Sequence, residues 1–565
     1  MVWDKSYFYI YGIILLLYVN LFSAQYWVDD NGEADWGDAQ SSTPLSGTDC
    51  ASLATANSNA AADDTVNLRE GTYDDVNISP TNSGTSGHLI VYQGYAAETI
   101  TFTGTSFISL VGDDYIKVDN MVFDTDQRWF HIGDGSDYNE ISNCEFKNAT
   151  TYYSLGLISF YDVGFSAGDP SCYNWIHDCT FHDGGYITSC DDKDTLCRIG
   201  GAAGDASYYN LIEDCVFYYG GHDCTDIGTK YNTVRNCTYH NEGTFVDEGG
   251  CTNSPASGYF GNRCLITVDY GSDTGGNCLI ECNRMGYGDT PPDDDGAMGI
   301  ENGISHMSIR YSYTFGNGAA GIYWKTHNTD NADSCRVYNN TVYSNGYGDE
   351  DIAAIWKSAL CVDCNGTDHP TSAIAKNNIL YGNAVDGLIY VGGDCTPNFT
   401  LANNYTDDPS FVNTDMSDST SLILPDLTLQ AGSGAIDQGG ALTTVAVADI
   451  GSGTSLIVAD ALYFQDGSWA PPGRISADWI AVGTVTNVVQ IASIDYNAKT
   501  ITLANSISRE DNDDVWLYKN SSGDIVLYGD APDAGAYEYA SGGATVPGSI
   551  EKGSGKINKG TGKIE

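Results

Sequence analysis

Nine stretches of this chain are variations on one phrase, and four of them nearly coincide: Tyr138-Asn-Glu-Ile-Ser-Asn-Cys-Glu-Phe146, Tyr173-Asn-Trp-Ile-His-Asp-Cys-Thr-Phe181, Tyr209-Asn-Leu-Ile-Glu-Asp-Cys-Val-Phe217 and Tyr231-Asn-Thr-Val-Arg-Asn-Cys-Thr-Tyr239. Looser copies run from Tyr115 to Phe123 and around Ile280, Ile309, Val337 and Ala375. A repeat of this kind constrains the architecture before any single residue is considered.

Aligned on the branched residue, the copies place Val118, Ile141, Ile176, Ile212, Val234, Ile280, Ile309 and Val337 in one column. Phe123, Phe146, Phe181, Phe217, Tyr239, Met285, Thr314, Val342 and Leu380 form a second. Between them runs Met121, Cys144, Cys179, Cys215, Cys237, Asn283, Ser312, Asn340 and Asn378. Apolar and polar positions alternate, which is strand period. The shortest spacing, Ile212 to Val234, is 22 residues. That length suits one coil of a parallel β-helix with three short strands, and longer intervals read as coils carrying loops or as two coils. No 3.6-residue period marks a helical or leucine-rich repeat.

After each copy come a small-residue turn and a further apolar burst, read as the second strand of each coil: Gly156-Leu-Ile-Ser-Phe160, Asp226-Ile-Gly-Thr-Lys230, Cys264-Leu-Ile-Thr-Val268, Gly299-Ile-Glu301, Gly321-Ile-Tyr-Trp-Lys325, Ala354-Ile-Trp-Lys357 and Gly387-Leu-Ile-Tyr-Val391. The inward Cys/Asn column sits where strand turns to strand, its side chains able to pair up and down the stack.

Residues 1–24 carry Lys5, an apolar run from Tyr7 to Val19 and an exit through Ser23-Ala24, the pattern of a secretory signal too short to span a membrane. No other stretch is long and apolar enough to cross one, so the expected location is secreted or cell-surface. Lys and Arg total 24 against 75 Asp and Glu, a formal charge of -51. Such a field excludes nucleic acid and anionic membranes as partners, and it opposes a polyuronate unless divalent cations bridge the two polyanions. Calcium is the expected cofactor. Of 17 cysteines, Cys144, Cys179, Cys215 and Cys237 read as small buried residues, while Cys190 with Cys197, Cys251 with Cys264, and Cys361 with Cys364 are disulfide candidates. A zinc site at Cys361 and Cys364 lacks a second pair of ligands.

The opening phrases Tyr26-Trp-Val-Asp-Asp30, Asp64-Thr-Val-Asn-Leu-Arg-Glu-Gly-Thr-Tyr73 and Asn82-Ser-Gly-Thr-Ser-Gly-His-Leu-Ile-Val91 resemble the start of pectate-lyase-like right-handed parallel β-helix proteins. The closing phrases Asn404-Tyr-Thr-Asp-Asp-Pro-Ser-Phe-Val412, Leu427 to Gly439 and Ala531-Pro-Asp-Ala-Gly-Ala-Tyr-Glu538 resemble their cap. The resemblance, which includes chondroitinase-B-like polysaccharide lyases, implies an all-β, right-handed parallel β-helix over residues 25–440, closed by residues 530–540. It is specific for fold, not reaction. Residues 441–529 interrupt the cap with short strands (Trp479-Ile-Ala-Val482, Val488 to Ile494, Thr500-Ile-Thr-Leu503, Val515-Trp-Leu-Tyr518), the signature of a small inserted β-barrel or sandwich. That module reads as a rigid decoration or a carbohydrate-binding unit. Residues 541–565 repeat Ile550, Ile557 and Ile564 with Gly and Lys between, a flexible basic tail.

The resemblance implies catalytic groups on outward positions of one sheet, framed by loops. Outward candidates in the burst column are Lys230, Asp269, Glu301, Tyr323, Lys325 and Lys357. Three lysines at corresponding positions stand out in a lysine-poor chain, although outward strand positions are polar by default. A polysaccharide lyase needs a base to take the proton beside a uronate carboxylate and a cation to stabilise the resulting charge. Lys230 or Lys325 fits the base; Asp269, Glu301 and the loop Asp293-Asp294-Asp295 fit calcium. His222 and Arg263 are expected to share a groove with Lys230, and Tyr323 and Lys357 to contact substrate. Alternation sends Trp324 inward with Ile322. Polygalacturonase-type hydrolases carry Asn-Thr-Asp, Asp-Asp, Gly-His-Gly and Arg-Ile-Lys in that order; here Gly221-His-Asp223 precedes Asp294-Asp295 and Asn328-Thr-Asp330, and no Arg-Ile-Lys exists. Elimination is therefore favoured over hydrolysis. The rival reading is a structural or adhesive surface protein, self-associating, with a cation-binding acidic face.

Overall fold

The computed structural model describes residues 24–149, 156–160, 170–184, 195–200, 207–218, 220, 223–240, 264–268, 276–288, 298–302, 306–326, 334–347, 357–364, 372–385, 389–391, 399–416 and 424–540. Cys264, Met298, Glu301, Asn302, Lys325, Thr326, Asp363, Cys364 and residues 389–391 are described by backbone alone. The expected signal segment before residue 24 and the tail 541–565 lie outside these residues. No helix among them is long and apolar enough to cross a membrane, a statement that does not bear on strands.

Each repeated phrase makes two strands, not one. In the clearest copy, Glu140–Ser142 and Glu145–Lys147 flank a two-residue corner, Asn143-Cys144, with Asn143 at φ +52°. Among the described residues, the first strand joins a 13-stranded sheet and the second an 11-stranded sheet; the apolar burst that follows, here Ile158–Phe160, joins a third sheet of ten strands. The burst is thus the third strand of each coil. We call these the first, second and third sheets. Neighbouring strands within each are parallel, and the stack forms a right-handed parallel β-helix.

The columns read from the sequence are the columns of the structure. Val118, Ile141, Ile176, Ile212, Val234, Ile280, Ile309 and Val337 are successive register partners in the first sheet. Phe102, Phe123, Phe146, Phe181, Phe217 and Tyr239 stack through the core with ring centroids 4.6–5.0 Å apart. That spacing is set by the separation of adjacent strands. Between the two columns, the Asn340 amide oxygen accepts from the Ser312 N–H at 3.0 Å, and the Asn378 amide oxygen accepts from the Asn340 N–H at 2.9 Å. In the earlier coils the free thiols of Cys144, Cys179, Cys215 and Cys237 donate to the carbonyl two residues back, at 3.1–3.3 Å. The ladder changes chemistry at Cys237, whose N–H donates to the Asn283 amide oxygen at 2.9 Å.

The phrase's leading tyrosine serves a different purpose. Tyr115, Tyr138, Tyr173, Tyr209 and Tyr231 each precede a first-sheet strand in the left-handed backbone region, at φ +56° to +61°. A non-glycine residue there costs about 1 kcal/mol or more. Their rings stack outside the coils, with centroids 4.9, 4.9, 5.0 and 5.1 Å apart.

The N-terminal end of the stack is covered by a seven-residue helix, Leu53–Asn59, which strand-period reading did not anticipate. Ser52 caps it by accepting from the Thr55 N–H, and Leu53 and Ala56 face the core. At the other end Phe411–Asn413 pairs with Asp426–Leu429, and the closing phrase returns beside Ala435, whose carbonyl accepts from the Ala534 N–H at 3.0 Å.

The inserted segment folds as a six-stranded antiparallel sheet: Thr443–Thr444, Asp514–Lys519, Trp479–Val482, Thr484–Asp495, Thr500–Arg509 and Gly451–Ile457, in spatial order. It lies against the outward face of the first sheet. There, successive coils present Glu213, Arg235, Glu281, Arg310, Tyr338 and Lys376 in one register column. Arg235 holds Glu213 at 2.7 Å and reaches Ser521 Oγ at 3.0 Å; Tyr338 donates to the Tyr463 carbonyl at 2.5 Å. Around these polar ties Tyr311 and Tyr338 share one apolar cluster with Phe464, Ile480 and Leu517. The inserted sheet and the β-helix are therefore one packed body along this face.

Candidate functional site

The third sheet carries the outward row from which the site is built. In its strands inward residues alternate with outward ones, so Ile158 and Phe160 enter the core and Ser159 does not. Register puts Ser109, His131, Ser159, Arg198, Asp226, Thr267, Glu301, Tyr323 and Cys361 in one outward line along the axis. Arg198 Nε lies 3.2 Å from Asp226 Oδ2, and Thr267 Oγ1 donates to Asp223 Oδ1 at 2.9 Å. Ser159, only 1% exposed, has a hydroxyl without a hydrogen-bond partner among the described residues. One guanidinium, two carboxylates, an imidazole and two hydroxyls thus line a few successive coils. His131, Ser159, Asp223, Asp226 and Thr267 are nearly withdrawn from water, so what the row offers chemically is a charged pair flanked by hydrogen-bonding and proton-handling groups.

The lysines expected at corresponding positions do not correspond. Lys230 lies in the turn three residues past Ile227, the end of its strand, with its ammonium 5.2 Å from the Tyr208 ring centroid. Lys325 is within the strand Ile322–Thr326, in register with Asp363. Lys357 precedes its strand, Leu360–Cys364, and the rest of the burst, residues 354–356, lies outside the described residues. The Lys357 carbonyl instead packs against Gly346, at φ +84°, where a Cβ would come within 2.2 Å of it. The sequence alignment failed because loops of unequal length separate burst from strand, while register is set by hydrogen bonds between coils.

Tyr323 is outward as expected but only 5% exposed, packed with Ala319, Ala320 and Cys361. Trp324 is inward and fully buried, edge-on to Phe399 at 5.1 Å. His222, Arg263, Asp269 and Asp293, Asp294 and Asp295 lie outside the described residues, and Glu301 is placed by its strand, opposite Thr267 and Tyr323. Among the described residues no group of three or more His, Cys, Asp or Glu could hold a metal ion. Of the disulfide candidates, Cys197 is a free thiol in the core, its acidity suppressed by burial, and Cys361 is buried. Cys190 and Cys251 lie outside the described residues, and the side chains of Cys264 and Cys364 are likewise outside.

Sequence reasoning missed Arg198, Asp226, Ser159 and His131. The signal was present: Cys197-Arg-Ile199, Thr225-Asp-Ile227 and Ile158-Ser-Phe160 each set one polar residue between two inward ones. Attention to lysines passed over it.

A second polar row lies on the outward face of the second sheet. His182 stacks on Tyr218 at 4.5 Å, and Tyr218 on His240 at 4.8 Å. Burial works against a charge on His182, but hydrogen bonds to Asp183 and Glu145 outweigh it and raise its pKa. His240 is 1% exposed, with neither ring nitrogen hydrogen-bonded among the described residues. Burial, and secondarily the charge on His182, push its pKa down to about 3.

With these positions fixed, the molecule is defined as a right-handed parallel β-helix with a polar face on its third sheet. The family model described as Chondroitinase B matches residues 48–152. Among solved structures, the chain is similar to pectate lyase Pel9A at 16% identity and a TM-score of 0.44, covering 76% of this chain and 93% of that one. It is also similar to the PL6 family polysaccharide lyase Pedsa3628 from Pseudopedobacter saltans (14%, TM-score 0.38, 67% and 95%). The A-module of the mannuronan C-5 epimerase AlgE4 from Azotobacter vinelandii is a third (14%, TM-score 0.40, 60% and 86%). At these identities the likeness concerns the fold alone. No curated protein sequence matches the chain.

Proposed function

We propose that this protein, exported to the cell surface or medium, binds an extracellular uronate-containing polysaccharide on the outward face of the third sheet and cleaves it by β-elimination. The observation that carries the reading is the Arg198–Asp226 pair in an outward line with Ser159 and Thr267, on a sheet whose next coils bring Lys325 opposite Asp363. The family match to Chondroitinase B supports the reaction class. In such a reaction a base removes the proton from the carbon bearing the carboxylate, the electron pair forms a double bond to the neighbouring carbon, and the glycosidic oxygen leaves with a proton from an acid. Lys325 is the proposed base. Arg198 is proposed to face the substrate carboxylate, where positive charge favours the developing enolate-like anion. Tyr323, Lys230, His222 and Arg263 complete the proposed contacts.

Asp269, Glu301 and the loop residues Asp293, Asp294 and Asp295 would hold calcium, a hard cation suited to carboxylate oxygens. Bound there, it would screen repulsion between a uronate polymer and a chain of charge -51 and withdraw charge from the carboxylate.

The test is incubation of the purified protein with neutral and uronate polysaccharides, with and without calcium, following reducing ends and the ultraviolet absorbance of the unsaturated product together. Both signals rising, and both lost in Arg198→Ala, support elimination. Reducing ends without absorbance would replace it with hydrolysis. The structural or adhesive reading is favoured by the inserted sheet's buried docking, which stiffens the body; silence on every substrate together with ordered self-association would establish it instead.

A further inference from the structure

The stacked tyrosines at the corner between the third and first sheets are not required by the turn they occupy. Later coils make the same left-handed residue with Asn277, His306 and Ser334, at φ +60°, +56° and +58°. Asparagine is at ease in that conformation, whereas tyrosine is strained. The early coils nevertheless keep tyrosine five times in succession, with rings nearly parallel from Tyr115 through Tyr209, at interplanar angles of 4°, 8° and 6°.

The rings are half-buried and outside the core, and the hydroxyls of Tyr115, Tyr138, Tyr173 and Tyr209 make no hydrogen bond among the described residues. Because each face is covered by the next ring, the row presents edges and hydroxyls, repeating at the coil interval of about 5 Å. Such a row is a rigid, evenly spaced hydrogen-bonding rail, ordered before any partner arrives. Its surroundings are acidic: Asp114 and Asp137 lie beside Tyr138, Asp137 beside Tyr173 and Asp466 beside Tyr209. A polyanion is disfavoured there. At the C-terminal end, Tyr231 packs against a cluster that includes Trp469, Ala470 and Ile475 of the inserted segment, which leaves the first four tyrosines as the accessible length.

We infer that the ladder of Tyr115, Tyr138, Tyr173 and Tyr209 is a binding surface for an extended neutral polysaccharide, laid along the helix axis with its hydroxyl groups on the phenol row. This surface is distinct from the third-sheet face and serves as an anchor, holding the protein on a neutral glycan irrespective of any bond cleavage.

Affinity electrophoresis of the full chain through gels containing soluble β-glucan, galactomannan or xyloglucan, with polygalacturonate and alginate as charged controls, tests this directly. The wild type is expected to be retarded by at least one neutral glycan. The triple variant Tyr138→Phe, Tyr173→Phe, Tyr209→Phe keeps the stack and deletes the hydroxyls, and is expected to weaken that retardation by about tenfold or more. Tyr173→Asn, which the turn accepts in later coils, is expected to weaken it in the same direction. Arg198→Ala should leave retardation intact, so failure of the anchor and failure of the proposed elimination are read separately. Equal retardation of the triple variant, retardation by the acidic polysaccharides alone, or none of the wild type by any neutral glycan overturns the inference.

Discussion

Arg310 donates two hydrogen bonds to Asp478, at 2.7 and 2.8 Å, and a third to Glu281 at 2.6 Å, with all three side chains withdrawn from water. One guanidinium thus ties a β-helix strand to the inserted segment and is shared by one carboxylate from each. A buried pair contributes little over an apolar replacement of both partners, but removing one partner strands the other. Arg310→Met leaves two buried carboxylates unpaired and is expected to cost about 3–5 kcal/mol in urea unfolding. A loss below about 1 kcal/mol would mean that water reaches this interface.

The asparagine ladder yields a second expectation. Asn340 satisfies the Ser312 N–H with its oxygen and donates to the Ile309 carbonyl at 2.9 Å. Asn340→Ala leaves both groups buried without partners, at a cost of about 1–3 kcal/mol. Thermal unfolding of the variant beside wild type measures it.

His240 and His182 set opposite pH dependences. Burial, and then the charge on His182, hold the His240 pKa down to about 3, against about 6.5 in an unfolded chain. Between those values the unfolded chain binds a proton that the folded chain refuses, so stability falls as pH drops from about 6.5 toward 3. His182, whose folded pKa is raised, contributes stability that is fully present below about 6.5 and is lost as pH rises through the folded value. Unfolding midpoints from pH about 4 to 7 should fall less steeply toward acid in His240→Phe than in wild type, and His182→Gln should lose stability chiefly at the acid end. Parallel curves for wild type and His240→Phe would contradict the assignment.

On the third sheet, Arg198→Ala is expected to reduce elimination by 10²-fold or more, on the order of what loss of one charge-stabilising group costs. Lys357→Ala, remote from the outward line by register, should change it by less than about tenfold. Steady-state rates on a uronate polymer decide between them.

The core was legible in the sequence because inward positions obey a period of two and must be apolar, so Val118 through Val337 and Phe123 through Tyr239 could be aligned without coordinates. The cysteine-to-asparagine ladder was legible for the same reason: one corner position repeats in every coil. The lysine row was not, since loop lengths conceal register, and Lys230, Lys325 and Lys357 fall at three different places. The docking face was hidden more deeply. Glu213, Arg235, Glu281 and Arg310 look like solvated outward charges, and only the return of a segment more than 150 residues later in the chain, bringing Asp478 against Arg310, buries them. Nor does the leading tyrosine announce its left-handed backbone, a position more often given to asparagine or glycine.

The central claim is that the outward face of the third sheet performs elimination on a uronate polysaccharide. Its most direct test is the ultraviolet absorbance of wild type, Arg198→Ala and Lys325→Ala incubated with alginate, polygalacturonate and chondroitin sulfate in the presence of calcium. The account predicts that absorbance climbs with at least one polymer for wild type and stays near baseline for both variants. A flat trace for wild type on every polymer, or an undiminished rise in both variants, would contradict it.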